Sequence, residues 1–410
     1  MRAASSATAG AGRTMVGSRW IIGCLGLCWL VAPNVDLTAQ AGEWAAEPWI
    51  SVKGEYNSNL LIAPGQNEVW GYWVSPGVKF KGSTERLEVA GTVRADFVSY
   101  YGEEDRSFTN LFFPLAATYR TEHDTFGFDG GLARDNTLMG ELRQTGLVLT
   151  FTQRDLWTAN PTWTRRLTEK LSLQAGYQFA DATYENGLQL GLVNYQTQGG
   201  NGGLSYELSE RDQLQATAHY IYFNVPQLSQ HAYYYGFQLS ATHAFSDTLT
   251  GSLSAGPRFV TSSQTAGGVT RTDYQTVWLA SASLRKQFDR LTLLLDASRD
   301  INPSGFGLLI ETNQVGLTAN RDLTETLTFS MTGRVYYVSA VSTGTSAVAL
   351  ADSRFVGVNS KLSWRMSDWW SLDLSYTYNE RVVQSLSQYA NSNATYLMLT
   401  HRGYKWSVSR

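Results

Sequence analysis

Cysteine is nearly absent from this chain: of 410 residues only Cys24 and Cys28 carry thiols, and both lie within the first 41 positions. The remainder can build neither a disulfide framework nor a thiolate metal site. Charge is scarce as well, at 16 % of residues, and leans acidic, with 32 Lys and Arg against 35 Asp and Glu. Residues 1–41 hold three Arg and one Asp, so the rest of the chain is more acidic still and has no basic footprint for nucleic acid. Beyond the amino-terminal region no run of about eighteen apolar residues occurs, which excludes membrane-spanning helices. Histidine is limited to five residues, four of them (His123, His231, His243, His401) in or near turns, loops or the chain end. No Gly-x-Ser-x-Gly elbow, His-Glu-x-x-His pair or acidic calcium loop accompanies them. A hydrolase is therefore the remotest class, and no cofactor or metal is expected.

What is abundant is glycine, with 37 residues, and aromatic side chains, at 13 %. Short turns, usually built on a Ser or Thr followed by an acid, recur about every forty residues, a period that holds two strands, one tight turn and one longer loop. They fall at 83–86, 121–124, 167–170, 208–211, 245–248, 288–290, 323–326 and 366–369. The strands between them alternate. From Leu171, one face carries Leu173, Ala175, Tyr177 and Phe179, and the other Ser172, Gln174, Gly176 and Gln178. The same pattern sets Leu214, Ala216, Ala218, Tyr220 and Tyr222 against Gln213, Gln215, Thr217 and His219, and Leu327, Phe329 and Met331 against Thr328, Ser330 and Thr332. A soluble sandwich would carry Lys and Glu on its polar face. Here that face is Ser, Thr, Gln, Asn and Gly, which suits a confined polar lumen, while the apolar face suits lipid, and aromatics gather near strand ends as in interfacial girdles. With helices excluded, a closed barrel is the remaining way to satisfy backbone groups in hydrocarbon.

The predicted fold is thus an all-β, transmembrane, antiparallel up-and-down β-barrel of about 18 strands, with 16 as the alternative. Arg2, Arg13 and Arg19 ahead of the apolar run Trp20–Ala32, with a small-x-small site at Ala39-Gln40-Ala41, predict a signal peptide over 1–41 and one barrel domain over 42–410. Met15 is a second candidate start. Both termini and the eight turns would face the periplasm. Nine longer loops would face outward, near 57–68, 102–107, 137–144, 185–194, 225–231, 261–271, 301–307, 341–353 and 382–393. The segment 145–166 fits one span poorly, and Pro161 within it calls for a bulge or a strand end.

Alternation points a mixed set of side chains into the lumen, and these are the candidate pore-lining residues: Lys53, Glu55, Glu88, Arg94, Asp96, His219, Arg258, Asp296, Arg334, Lys361, Arg365 and Asp373. Such a set can be a salt-bridged lining that only stiffens the barrel. It can also be a polar pathway for a neutral or weakly charged solute, since a ring of one sign would mark an ion-selective pore. No loop reaches the length of a porin constriction loop, so the lumen should be narrowed by its own side chains or by a partner. A structural or surface-binding barrel with a plugged lumen is the rival class.

Glu55-Tyr56-Asn57-Ser58-Asn59-Leu60, then Val74-Ser75-Pro76-Gly77-Val78, then hairpins such as Tyr206-Glu207-Leu208-Ser209-Glu210 give the chain a resemblance, over most of residues 47–410, to the β-barrel porin family often found beside exopolysaccharide or exosortase gene clusters. The family's frequent Asp-Asp-Asn at the first loop is replaced here. The resemblance implies the outer membrane of a Gram-negative-type bacterium, contact with outer-membrane lipids and lipopolysaccharide, and assembly by the barrel-assembly machinery. It further implies a channel for saccharide or polysaccharide, with polysaccharide-export components as partners. The chain ends Lys405-Trp406-Ser407-Val408-Ser409-Arg410 rather than on an aromatic residue, with Tyr396, Met398, Tyr404 and Trp406 on one face as a shifted signal.

Overall fold

The computed structural model describes residues 42–65, 68–102, 105–138, 140, 151–341, 352–383 and 388–409. The expected signal peptide at 1–41 and parts of five expected outer loops lie outside them. Nineteen strands run in chain order through the described residues. The first nine are β1 (Glu43–Asn57), β2 (Val69–Ser83), β3 (Leu87–Gly102), β4 (Arg106–Arg120), β5 (Asp124–Asn136), β6 (Gln153–Arg166), β7 (Leu171–Tyr184), β8 (Tyr195–Glu207) and β9 (Asp212–Val225). Then come β10 (Gln230–Ser246), β11 (Leu249–Ala266), β12 (Val269–Gln287), β13 (Leu291–Pro303), β14 (Leu309–Asp322), β15 (Leu327–Ala340), β16 (Ser353–Arg365), β17 (Trp370–Val383), β18 (Gln388–Arg402) and β19 (Trp406–Ser409). From β1 to β18 each pairs antiparallel with its neighbours in sequence, and β1 closes the sheet on β18 and β19. β19 prolongs β18, so the wall has 18 staves.

All eight turns appear at the expected positions, and in seven of them a Ser or Thr hydroxyl bonds the backbone of the turn. Thr84, Thr168 and Thr324 each accept a hydrogen bond from the backbone N–H three residues on, at 3.0 Å. A side chain that mimics a backbone acceptor closes the turn without a longer loop.

Proline is handled inside the wall rather than at its edges. The β6–β7 ladder pairs Ala159 with Phe179 and Thr162 with Gly176 in unchanged register, skipping Asn160 and Pro161. Pro161 therefore occupies neither a bulge nor a strand end, and β6 is a single span. A missing N–H faces one neighbour only, so the ladder opens on that side while Pro161 stays opposite Phe128 on the other. Pro76, Pro114 and Pro257 open the β2–β3, β3–β4 and β10–β11 ladders in the same way.

The closure departs from simple alternation. Trp49 faces Arg402 but Ala46 faces Trp406, so the last stave carries one extra residue around 403–405, opposite Glu47 and Pro48. The extra residue inverts the parity. Tyr396 and Met398 consequently line the bore, not the face shared with Trp406, while Leu397 and Leu399 are exposed on the outside.

The outer surface is an apolar belt with aromatic rims. Leu253, Leu284, Leu295, Leu317, Met331, Leu374 and Leu397 are exposed along mid-strand positions, and Trp44, Phe245, Phe288, Trp369 and Trp370 lie near the turns. Trp70, Trp157, Tyr220, Trp278 and Tyr389 form the rim at the loop end. This is the surface of a β-barrel whose outside faces lipid. As an expected result, a label at Gly267, in the tip between β11 and β12, reacts on intact cells, whereas labels at Glu169 and Glu325 react only after permeabilisation. Reversed accessibility would invert the topology. Companion labels at Glu104 and Thr345 test loops outside the described residues.

Short loops do fold inward, contrary to the expectation from their lengths. Inward positions near the outer ends of the strands are apolar, among them Tyr184, Tyr195, Ile221, Phe223, Val225, Val277 and Val338. Loop residues Ile62, Leu192, Val193, Phe306 and Leu308 join them in one buried cluster. Each loop needs to add only a few side chains because the wall supplies the rest of the packing.

Candidate functional site

Two adjoining cavities run along the β1–β6 and β17–β18 wall, sharing Trp49, Arg94 and Thr400. The lower one, towards the turns, has a volume of about 680 Å³. Its charged lining is Lys79, Arg94 and Arg402 with Glu47, Asp129 and Asp373, a balanced set. The upper one, of about 590 Å³, is lined by Lys53 and Arg94 with Glu55 and Asp96, again balanced.

Aromatic rings hold these charges in place. Lys53 donates to Glu55 Oε2 (2.5 Å), and its ammonium stands 3.3 Å from the centre of the Trp73 ring. Arg94 pairs with Asp96 through Nε and Oδ1 (3.1 Å), and its guanidinium lies 4.3 Å from the centre of the Phe112 ring. Cation–π contacts of this kind strengthen in a confined, poorly hydrated bore. Trp49 stands at the junction, with its ring against the backbone of Gly77, where a Cβ would come within 2.6 Å of it. Its buried indole N–H has no partner among the described residues. The Ser75-Pro76-Gly77 motif thereby gains a physical reading: Pro76 opens the ladder and Gly77 provides the bed for the ring.

The asparagines of the first loop are structural. Asn57 Oδ1 accepts from the Asn59 backbone (2.9 Å) and from Ser392 Oγ (2.9 Å), and Asn59 exchanges bonds with the Ala63 backbone at 2.9 and 3.2 Å. The loop turns inward, places Ile62 at φ 50° and seats it under the Arg381 guanidinium, which donates to its carbonyl (3.4 Å).

Of the twelve sequence candidates, Lys53, Glu55, Arg94, Asp96 and Asp373 come together in the two cavities. The others are dispersed. Glu88 pairs with Arg120 near a turn (3.3 Å), and Arg365 donates to the Glu325 carbonyl (2.9 Å). Arg258 is buried against the wall, donating to the carbonyls of Phe237 (3.0 Å) and Pro257 (3.2 Å) in the ladder gap and to Gln238 Oε1 (3.1 Å). It therefore does not reach across the bore. His219 is half-buried on β9, Lys361 half-buried on β16, and Asp296 lies against Gly316. Arg334, in the middle of β15, is exposed within the bore.

The sequence candidates leave out Glu47, Lys79, Asp129 and Arg402, which strict alternation would have found. They also leave out Trp49, Trp73 and Phe112, which a search for charge does not see.

No family model matches the chain, and no curated protein matches it. Among solved structures it is similar to Pseudomonas aeruginosa OccK7 (OpdD), at 12 % identity and TM-score 0.46 over 88 % of this chain and 98 % of that one. Acinetobacter baumannii OccAB1 is similar at 9 % identity and TM-score 0.45, over 88 % and 96 %. Pseudomonas aeruginosa OccK2 (OpdF), solved in complex with glucuronate, gives 11 % and 0.44, over 88 % and 98 %. All three scores lie below 0.5, and they carry nothing about the solute.

Proposed function

We propose that this barrel is a porin-like outer-membrane channel for small neutral or zwitterionic hydroxylated solutes of the saccharide class. The observation that carries the reading is the pair of charge-balanced, aromatic-lined cavities around Trp49 and Arg94. Balanced charge gives no ring of one sign to select an ion. Aromatic faces beside paired charges and amides suit the apolar faces and hydroxyl edges of a sugar ring, and cavities of this volume accept a small molecule. An extended polysaccharide would require the apolar cluster at the outer end to be displaced.

Purified barrels in planar bilayers should give discrete conductance steps with reversal potentials near zero in a salt gradient. Arg94→Ala should raise the conductance and shift selectivity towards cations, because it leaves each cavity with one acid in excess. Proteoliposomes should swell in monosaccharide faster than in a charged solute of equal size. A second reading, a structural barrel that does not conduct, is favoured by the apolar cluster filling the outer end. Inserted barrels that stay silent in wild type and in Arg94→Ala would select it.

A further inference from the structure

The β12–β13 ladder is cut short. It holds eight pairs and stops at Ala280↔Arg299, while β11 and β12 continue as a hairpin up to Ala266↔Val269. Above the stop, Thr276 to Leu279 on β12 and Asp300 to Pro303 on β13 have no ladder partner across the seam among the described residues. β13 has left the wall there. Its tip, Ser304 to Leu308, is buried within the bore, and its backbone reaches past β12 and β11 to the start of β10 and the β7–β8 loop: Val193 N–H donates to Gly305 O (2.7 Å) and Gln230 Nε2 to Gly307 O (2.8 Å).

The inward part is a self-contained leaf. Ser304 N–H and Oγ both donate to Leu308 O at 3.0 Å, with Gly307 at φ 75° closing the turn. β14 stays paired to β15 up to Ile310↔Ala340, and Val341 N–H donates to Leu309 O (2.9 Å). The tops of β13, β14 and β15 thus lean in together.

We propose that this leaf is a gate that moves between the bore and the wall. Continuing the register of Ala280↔Arg299 would bring Leu279 opposite Asp300, Trp278 opposite Ile301, Val277 opposite Asn302 and Thr276 opposite Pro303. In the closed state the leaf buries Phe306, Leu308 and Ile310 and leaves two strand edges unpaired. In the open state those edges zip together and the apolar tip leaves the bore. Two packings that exchange apolar burial for backbone pairing form a bistable element. Pro303, lacking an N–H, marks where such a zipper would end. The gate serves the channel proposed above, but its movement can be tested without conductance.

Residues 42–410 contain no cysteine, so introduced pairs report cleanly. A control pair, Ala280→Cys with Arg299→Cys, sits at existing ladder partners and should cross-link. Val277→Cys with Asn302→Cys should also cross-link under mild oxidation in the membrane, and the oxidised barrel should show a larger conductance step that reverts on reduction. Val193→Cys with Gly305→Cys should lock the leaf inward and reduce conductance. Failure of the 277/302 pair to cross-link while the control does so would overturn the gate, as would cross-linking that leaves the conductance of conducting barrels unchanged. Cross-linking at 277/302 in barrels that never conduct would instead overturn the channel reading, with the movement of the leaf itself established.

Discussion

Asp135→Ala is expected to lower folding stability by about 3 to 5 kcal/mol, the cost of removing one partner from a buried ion pair. Asp135 and Arg154 are register partners on β5 and β6, both facing inward, and they pair in a fork, Nε to Oδ1 at 3.0 Å and Nη2 to Oδ2 at 2.8 Å. Their side chains are 9 % and 4 % exposed. Without the carboxylate, the guanidinium keeps its charge in a site that water reaches poorly, because arginine does not deprotonate. One position away on the outer face, Arg134 pairs with Glu185 (3.3 Å), donates to Gln153 Oε1 (3.1 Å) and lies 3.8 Å from Asp155, and the three charged side chains are each more than 40 % exposed. Arg134→Ala should therefore cost no more than about 1 kcal/mol. Replacing both buried partners, Asp135→Leu with Arg154→Met, should recover most of the loss, since two apolar groups need no counter-charge. Urea unfolding in lipid vesicles for the wild type and these variants checks the series. A single Asp135→Ala variant as stable as Arg134→Ala would show that the pair is solvated.

The barrel was legible because its grammar is local. A Ser or Thr that closes a turn through its own hydroxyl is visible in the sequence, and period-two alternation separates lipid-facing from lumen-facing residues wherever the two faces differ in polarity. That holds for the lower and middle parts of the staves, and it placed Lys53, Glu55, Arg94, Asp96 and Asp373 inward. It fails in two places for physical reasons. At the outer ends both faces are apolar, as in Tyr220-Ile221-Tyr222-Phe223, so the sequence carries no contrast there, and a buried cluster reads like more lipid-facing wall. At the closure, one extra residue around 403–405 inverts the parity of the last stave, and no residue type announces it. The role of Arg258 was hidden for a third reason: a ladder gap at Pro257 exposes carbonyls only once the register is known. Leaf and seam are long-range features, set by packing between β13 and residues of the β7–β8 loop, and neither segment signals them alone.

Met331→Arg should cost about 2 to 4 kcal/mol, the depth-dependent penalty for a cation on the lipid face near the bilayer midplane. Met331 lies centrally in β15, is 43 % exposed on the outer surface, and is flanked on the same face by Phe329 and Val335. Its register partners, Ala319 on β14 and Ser360 on β16, offer no acid to pair with. An arginine there must snorkel to a head group or thin the bilayer, and either response holds its long side chain in few conformations. The adjacent Thr332 points inward, opposite Thr318 on β14 and Asn359 on β16, with its hydroxyl 3.4 Å from that of Thr318. Thr332→Arg would place the same charge in a polar bore that already contains Arg334 on the same face, so its cost should be far smaller and should fall further with added salt. The contrast between neighbouring residues removes strand propensity and position along the barrel as explanations, leaving only the face. Unfolding in vesicles of defined thickness measures both variants, and a thinner bilayer should shrink the Met331→Arg penalty while leaving that of Thr332→Arg unchanged. Equal penalties in every bilayer would mean that β15 presents the other face to lipid, and the register of the wall would have to shift by one residue.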